Sequence, residues 1–167
     1  MKSLRFYISL AISIIIKSLL NFFGKDATSA PGKIAYRICP EILSEIDKRS
    51  KIKIIISGTN GKTTTNNLIN HIIGNERTVL SNLKGSNMVS GIVSAFINSY
   101  RKNYDIACFE VDEGSLHLIT KYIKPDLFIT TNVFRDQLDR YGELDKVKNL
   151  ILEHIDGALA LINADDP

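Results

Sequence analysis

The residues best suited to chemistry form the stretch "KIIISGTNGKTTTNNL", residues 53 to 68. An apolar β-branched run stops at Ser57, and a polar turn follows: Gly58, Thr59, Asn60, Gly61, Lys62, Thr63 and Thr64. Successive backbone N–H groups in a glycine-containing turn make a concave nest for anions, and a helix starting there adds its partial positive charge. Gly58 and Gly61 allow the backbone to approach a ligand closely. Lys62 can reach the β- and γ-phosphates of a nucleotide as a point charge, and Thr63 offers a hydroxyl to Mg²⁺. The strict P-loop pattern asks for glycine five residues before Gly61, where this chain has Ile56, so the loop is a variant. The alternative is a plain strand-to-helix turn with a threonine cap. Such a turn has little need of two glycines, a lysine and a hydroxyl in this order, and phosphate binding is the stronger reading.

Two further segments carry polar groups at the ends of apolar runs. In "ACFEVDEGS", Glu110 closes a run expected to be buried, a costly place for an unpaired carboxylate. A Mg²⁺ ion would remove that cost, because Mg²⁺ on nucleotide phosphates takes one or two carboxylates and keeps water. An ion pair with Lys62 is the alternative, compatible with the first. Asp112 and Glu113 read equally well as helix-start acids favoured by the dipole. In "FITTNVFRDQLDRYGELD", Asn132 stands where strand meets loop and either orients a ligand or caps the turn. Asp136, Asp139 and Arg140 form a polar cluster beyond it, which a solvated helix start would also explain.

These segments need elements to position them. Strand-like runs occur at Ile52–Ile56, Thr78–Leu80, Ile106–Val111, Leu127–Thr130 and Ala158–Ile162, with helical patterns near 63–73, 87–100, 115–123 and 143–155. Continuous apolar strands alternating with helices predict a parallel sheet covered on both faces. The expected fold class is α/β, an open, doubly wound, mostly parallel sheet, with ligands at the carboxyl ends of the strands. No internal repeat or low-complexity tract interrupts it.

The 167 residues are about one domain, with 44% apolar and 23% charged residues and a net charge of +3. Basic residues are scattered, so nothing suggests nucleic acid as a partner. Cys39 and Cys108 are far apart and lack metal or disulfide spacing, which fits buried thiols of a reducing compartment. His71, His117 and His154 form no ligand pair.

The first 25 residues differ in character. "MKSLRFYISLAISIIIKSLLNFFGK" is apolar, and its uncharged run from Phe6 to Ile16 is too short to span a bilayer. On a helix, Arg5, Ser9, Ser13, Lys17 and Asn21 make one drifting polar stripe beside a broad apolar surface. Such a helix either packs on the domain or lies in a membrane interface through residues 4–23, its lysines facing phosphates. "GKDATSAPGK" (24–33) is expected to break the pattern, and a short helix around Cys39–Lys48 to lead into the first strand.

Taken in order, "GTNGKTT", "FEVDEGS", "TNVFRDQLDRYGELD" and "NADDP" resemble the central ATPase domain of the Mur ligases, the ATP-dependent amide-bond ligases of peptidoglycan synthesis related to folylpolyglutamate synthetases. The resemblance covers about residues 50–167, which divides the chain into an N-terminal segment, 1–50, and a partial ATP-binding domain, 51–167. Within the superfamily it is similar to the MurT family. Too few residues precede Gly58 for a UDP-sugar-binding domain, and Gln137 stands where most Mur ligases have a metal-binding histidine, which puts a second metal site in doubt.

That resemblance implies ATP and Mg²⁺, with Lys62 and Glu110 catalytic, Thr63 and Glu110 on the metal, and Gly58 to Thr64 with Asn132 at the nucleotide. It implies amidation of the D-glutamate α-carboxylate of lipid II through an acyl phosphate, with ammonia from a GatD-type glutaminase subunit. The expected location is the cytoplasm, with contact at the inner face of the cell membrane. Full-length members carry a zinc ribbon whose cysteines are absent here, so the chain is expected to be a fragment that does not amidate alone. The alternatives are another Mur or folylpolyglutamate-type ligase, or a nucleotide-binding module without ligase activity.

Overall fold

The computed structural model describes residues 4–24, 29–83, 86–133, 144–155 and 157–165. Five parallel strands form one sheet: β1 (Ser50–Ser57), β2 (Val79–Ser81), β3 (Tyr104–Glu110), β4 (Leu127–Thr130) and β5 (Leu159–Ile162). Their order is β2-β3-β1-β4-β5. The helices are α1 (Leu4–Phe22), α2 (Ala30–Ile38), α3 (Ile42–Arg49), α4 (Lys62–Ile73), α5 (Val89–Asn98), α6 (Leu116–Thr120) and α7 (Leu144–Leu152), with a 3₁₀ turn at Glu113–Ser115. Each apolar run read from the sequence is a strand, with slightly different ends, and the parallel α/β class is as expected.

Period-two alternation in β1 feeds two separate cores. Ile55 points into the larger one with Phe109, Phe128 and Leu80, covered by α3, α5, α6 and α7. Ile54 and Ile56 point the other way, onto Cys108 and Ile129, where Ile69 and Ile73 of α4 close over them. The central strand is thus apolar on both sides, as a sheet with helices on both faces requires. Truncating a fully buried isoleucine such as Ile55 to alanine would cost about 2–5 kcal/mol. Cys39 and Cys108 are both buried thiols outside any disulfide among the described residues, and burial pushes the Cys108 thiol up to about 12.

The break expected at 24–33 holds only in part, because α2 starts within it at Ala30. Pro31 lies in the first turn, where a missing N–H costs no helical bond. Gly32 is there for packing: a Cβ would come within 2.6 Å of the backbone N of Ser94 on α5. Its own N–H donates to Ser94 Oγ at 2.9 Å.

Helix α1 continues through Lys17 to Phe22 and so exceeds the uncharged run. By length and composition alone it could cross a bilayer. Its buried residues are Phe6, Ser9, Leu10 and Ser13, so part of the polar stripe faces the protein. Ser9 Oγ donates to the Phe6 carbonyl at 2.8 Å, and Ser13 Oγ to the Pro31 carbonyl of α2 at 3.0 Å.

Candidate nucleotide site

The sheet order sets β1 between β3 and β4, and the chain leaves toward β4 only after finishing the other side. Such a crossover leaves a crevice at the carboxyl ends of the central strands. Glu110 lies opposite Ile56 in the β1–β3 ladder, and Thr130 lies opposite Ser57 in the β1–β4 ladder. The three segments singled out in the sequence therefore end side by side.

The turn after β1 is held from the β4 side. Thr59 N–H donates to the Asn132 carbonyl at 2.8 Å. The Asn132 side chain accepts from Asn60 N–H at 2.9 Å and donates to the Asn60 carbonyl at 3.1 Å. Asn132 thus bonds the backbone of the turn through both the oxygen and the nitrogen of its amide. Gly58 is buried at φ +121°, and a Cβ would meet the Thr131 hydroxyl and come within 2.7 Å of the Asn132 carbonyl. Gly61 has φ +85° and no heavy atom within 4 Å of a Cβ. Here the conformation alone favours glycine.

Helix α4 begins at Lys62 with Gly61 as its N-cap and no side-chain hydrogen bond to its leading amides. Those donors are free for an acceptor other than a capping side chain. Thr63 and Thr64 are exposed on this first turn. Lys62 is buried, and its ammonium donates to the carbonyls of Gly58 and, at 3.1 Å, Thr59. It also pairs with Glu113 Oε1 at 3.3 Å. The ion pair weighed for Glu110 is therefore made by Glu113.

Glu110 and Glu113 are 4% and 1% exposed, and each has an oxygen, Oε2, that is buried without a hydrogen-bond partner among the described residues. A buried carboxylate oxygen is costly to leave unmatched. Among the described residues no group of three or more histidine, cysteine or acidic side chains could form a metal cage. One or two carboxylates beside an exposed threonine hydroxyl are the donor set that suits Mg²⁺, which completes its shell with water and phosphate oxygens. The residues present fit that ion.

One residue here, Asn82, escapes the reading of the sequence, and another, Glu113, stays open in it. Glu113, for which a helix-start role is an equal reading, does open the 3₁₀ turn and also reaches Lys62 from there. Asn82, just after β2, accepts from the Glu110 N–H at 3.1 Å and donates to the Glu110 carbonyl at 2.9 Å. It also donates to the Ser86 carbonyl at 2.8 Å. Behind it, the buried Asn66 of α4 accepts from Asn70 at 3.0 Å and from Ser81 at 3.1 Å. Only the position of Asn82 at a strand end hinted at this. Asp136, Gln137, Asp139 and Arg140 lie outside the described residues.

A parallel sheet in this order with an uncapped glycine turn, lysine and buried acids defines a nucleotide-binding α/β domain. Residues 56–167 match the family described as Mur ligase middle domain, and the chain belongs to that family. It is 44% identical over 147 residues to the lipid II isoglutaminyl synthase (glutamine-hydrolyzing) subunit MurT of Staphylococcus aureus (strain COL), covering 86% of this chain and 34% of that one. It is 39% identical to the MurT subunit of Streptococcus pneumoniae (strain ATCC BAA-255 / R6), covering 89% and 34%. The chain therefore spans about a third of the length of the curated relatives it matches. The MurF ligase of Thermotoga maritima, solved in complex with ADP, shares the fold with a TM-score of 0.67 at 23% identity, over 80% of this chain and 33% of that one.

Proposed function

We propose that this domain binds Mg²⁺-ATP on the turn from Gly58 to Thr64 and serves the ligase subunit of a lipid II isoglutaminyl synthase. In that reading the D-glutamate α-carboxylate of lipid II takes the γ-phosphoryl group. Ammonia supplied by a GatD-type glutaminase subunit then displaces phosphate and leaves D-isoglutamine. The observation that carries the nucleotide role is the convergence of an uncapped helix start, the buried Lys62 and two buried carboxylates with unmatched oxygens. The ligase role and its substrate rest on the similarity to MurT subunits over most of this chain.

The chemistry suits such a site. A carboxylate is a poor acyl donor because its leaving group would be oxide, whereas an acyl phosphate releases phosphate. The transfer asks the protein for positioning and charge neutralisation rather than covalent help. The amides of Gly61 to Thr64 would bind phosphate oxygens, and Lys62 would exchange its loop carbonyls for the γ-phosphate. Bound Mg²⁺, held by Thr63 and Glu110, would supply further neutralisation of the phosphate oxygens. Glu113 helps hold the Lys62 ammonium at the turn through their ion pair.

The test has two arms. Titration calorimetry of the chain with Mg²⁺-ATP should show binding that Lys62→Ala weakens at least about tenfold. The full-length ligase with its glutaminase, given lipid II with an oxygen-isotope label in the D-glutamate α-carboxylate, should release phosphate carrying that oxygen as isoglutamine forms. Absence of ATP binding would remove the nucleotide role. Unlabelled phosphate alongside amidated product would remove the acyl phosphate.

A further inference from the structure

Helix α1 is inside out by the standards of a helix docked on a water-soluble domain. Its buried face includes two serines, Ser9 and Ser13, both fully enclosed and hydrogen-bonded. Its outward face is apolar: Leu4 is 75% exposed, Ile15 59% and Phe22 84%, with Ile8, Ile12 and Leu19 also exposed. At 100° per residue the outward apolar side chains, from Ile14 round to Ile12, sweep roughly 160° of the helix. A single partner helix needs only a narrow seam, so this breadth suits a surface better than another helix.

Charge and aromatic placement name that surface. Residues 1–24 contain Lys2, Arg5 and Lys17 and no acidic residue. Helix α2, against which α1 packs, adds the exposed Lys33 and Arg37 and likewise carries no acid. Exposed aromatic residues sit at both ends of α1, Tyr7 near the start and the edge-to-face pair Phe22–Phe23 at the finish. Aromatic ends, an apolar outer face and the basic balance of residues 1–24 and α2 match the headgroup region of an anionic bilayer. Spanning does not suit this helix: it would carry Arg5 and Lys17 into hydrocarbon and strip Ser13 from its bond to α2.

We propose that α1 is a membrane-surface helix, lying parallel to an anionic bilayer with its apolar face in the headgroup layer and its serine face still docked on α2. The proposal stands on α1 and α2 and needs no ligase activity.

Vesicle flotation of the chain tests it, with phosphatidylglycerol and phosphatidylcholine in equal parts against phosphatidylcholine alone. The chain should float with the anionic vesicles, less so with the neutral ones, and less at high salt. The exposed-face variant Ile8→Glu/Ile15→Glu should lose roughly a hundredfold in partitioning while its circular dichroism and Mg²⁺-ATP affinity stay unchanged. As a probe that leaves the face apolar, Ile15→Trp should blue-shift its fluorescence on anionic vesicles. A chain that ignores both vesicle types, or a double variant that floats as the parent does, overturns the proposal. So does a lipid-free dimer that the same variant dissociates, which would assign the face to a second copy. Retained Mg²⁺-ATP binding in a chain that ignores vesicles would sink this inference and leave the nucleotide reading standing.

Discussion

Lys62 and Glu113, fifty-one positions apart in sequence, meet at 3.3 Å with both side chains almost fully enclosed. An enclosed ion pair is strongly coupled: removing one partner leaves an uncompensated charge, at a cost of about 3–5 kcal/mol. The pair therefore joins stability to the candidate nucleotide site.

The partners should respond differently to substitution. Glu113→Ala should lower unfolding stability in urea by about 3 kcal/mol and weaken Mg²⁺-ATP binding, because Lys62 is stranded. Glu110→Gln should leave stability nearly unchanged or higher, since Glu110 Oε2 has no partner among the described residues, while raising the Mg²⁺ requirement for ATP binding at least about tenfold. A Mg²⁺ titration at fixed ATP separates them. Equal Mg²⁺ requirements for Glu110→Gln and the parent would move the metal role off Glu110.

The two glycines of the turn should rank clearly. Gly61→Ala faces only the conformational cost of its positive φ, about 1–2 kcal/mol, because nothing stands within 4 Å of the added methyl. Gly58→Ala adds a clash with the Thr131 hydroxyl and the Asn132 carbonyl, and should cost several kcal/mol more by pushing β1 and β4 apart. Thermal denaturation of both variants measures the order, and a Gly61 variant less stable than the Gly58 variant would contradict this geometry.

Asn132 pins the turn by its side chain, so Asn132→Ala should remove two hydrogen bonds to Asn60, about 1–2 kcal/mol in all. Amide hydrogen exchange should quicken across residues 58–61 while the rest of β1 stays protected. Nucleotide affinity should fall severalfold through the lost preorganisation. Unaltered exchange in the turn would mean that Asn132 does not hold it.

Acidification should weaken the fold through His154. Burial is the largest influence and lowers its affinity for a proton below the ordinary 6.5, helped by His117 and Lys124 and opposed by Glu153. The folded state thus binds fewer protons than the unfolded chain. Stability is at its full value above pH 6.5 and declines as pH falls below it, until the folded-state value is passed. Asp105, held far below its usual range chiefly by its hydrogen bond to Lys51, repeats the trend: its stabilisation is complete above 3.8 and is lost below it. Urea midpoints for the parent and His154→Gln should converge as pH falls toward 5, the variant being flatter. Parallel curves would exclude His154 as the sensor.

Sequence alone determined the class of fold, because strand burial on both faces leaves a continuous apolar run such as Ile54–Ile56 that no amphipathic pattern imitates. It also determined the turn from Gly58 to Thr64, since anion nests depend on local backbone freedom and a helix start, both written within a few residues. Partners across strands were decided only by tertiary structure. Strand order set Asn132 against Asn60 and put Asn82 against Glu110, and the 3₁₀ turn chose Glu113 over Glu110 for Lys62. The same limit explains α1: helical period sorts side chains into faces, but which face turns inward depends on what α2 offers, here the Pro31 carbonyl that takes the Ser13 hydroxyl. Periodicity is a property of one segment, whereas pairing and burial are properties of two.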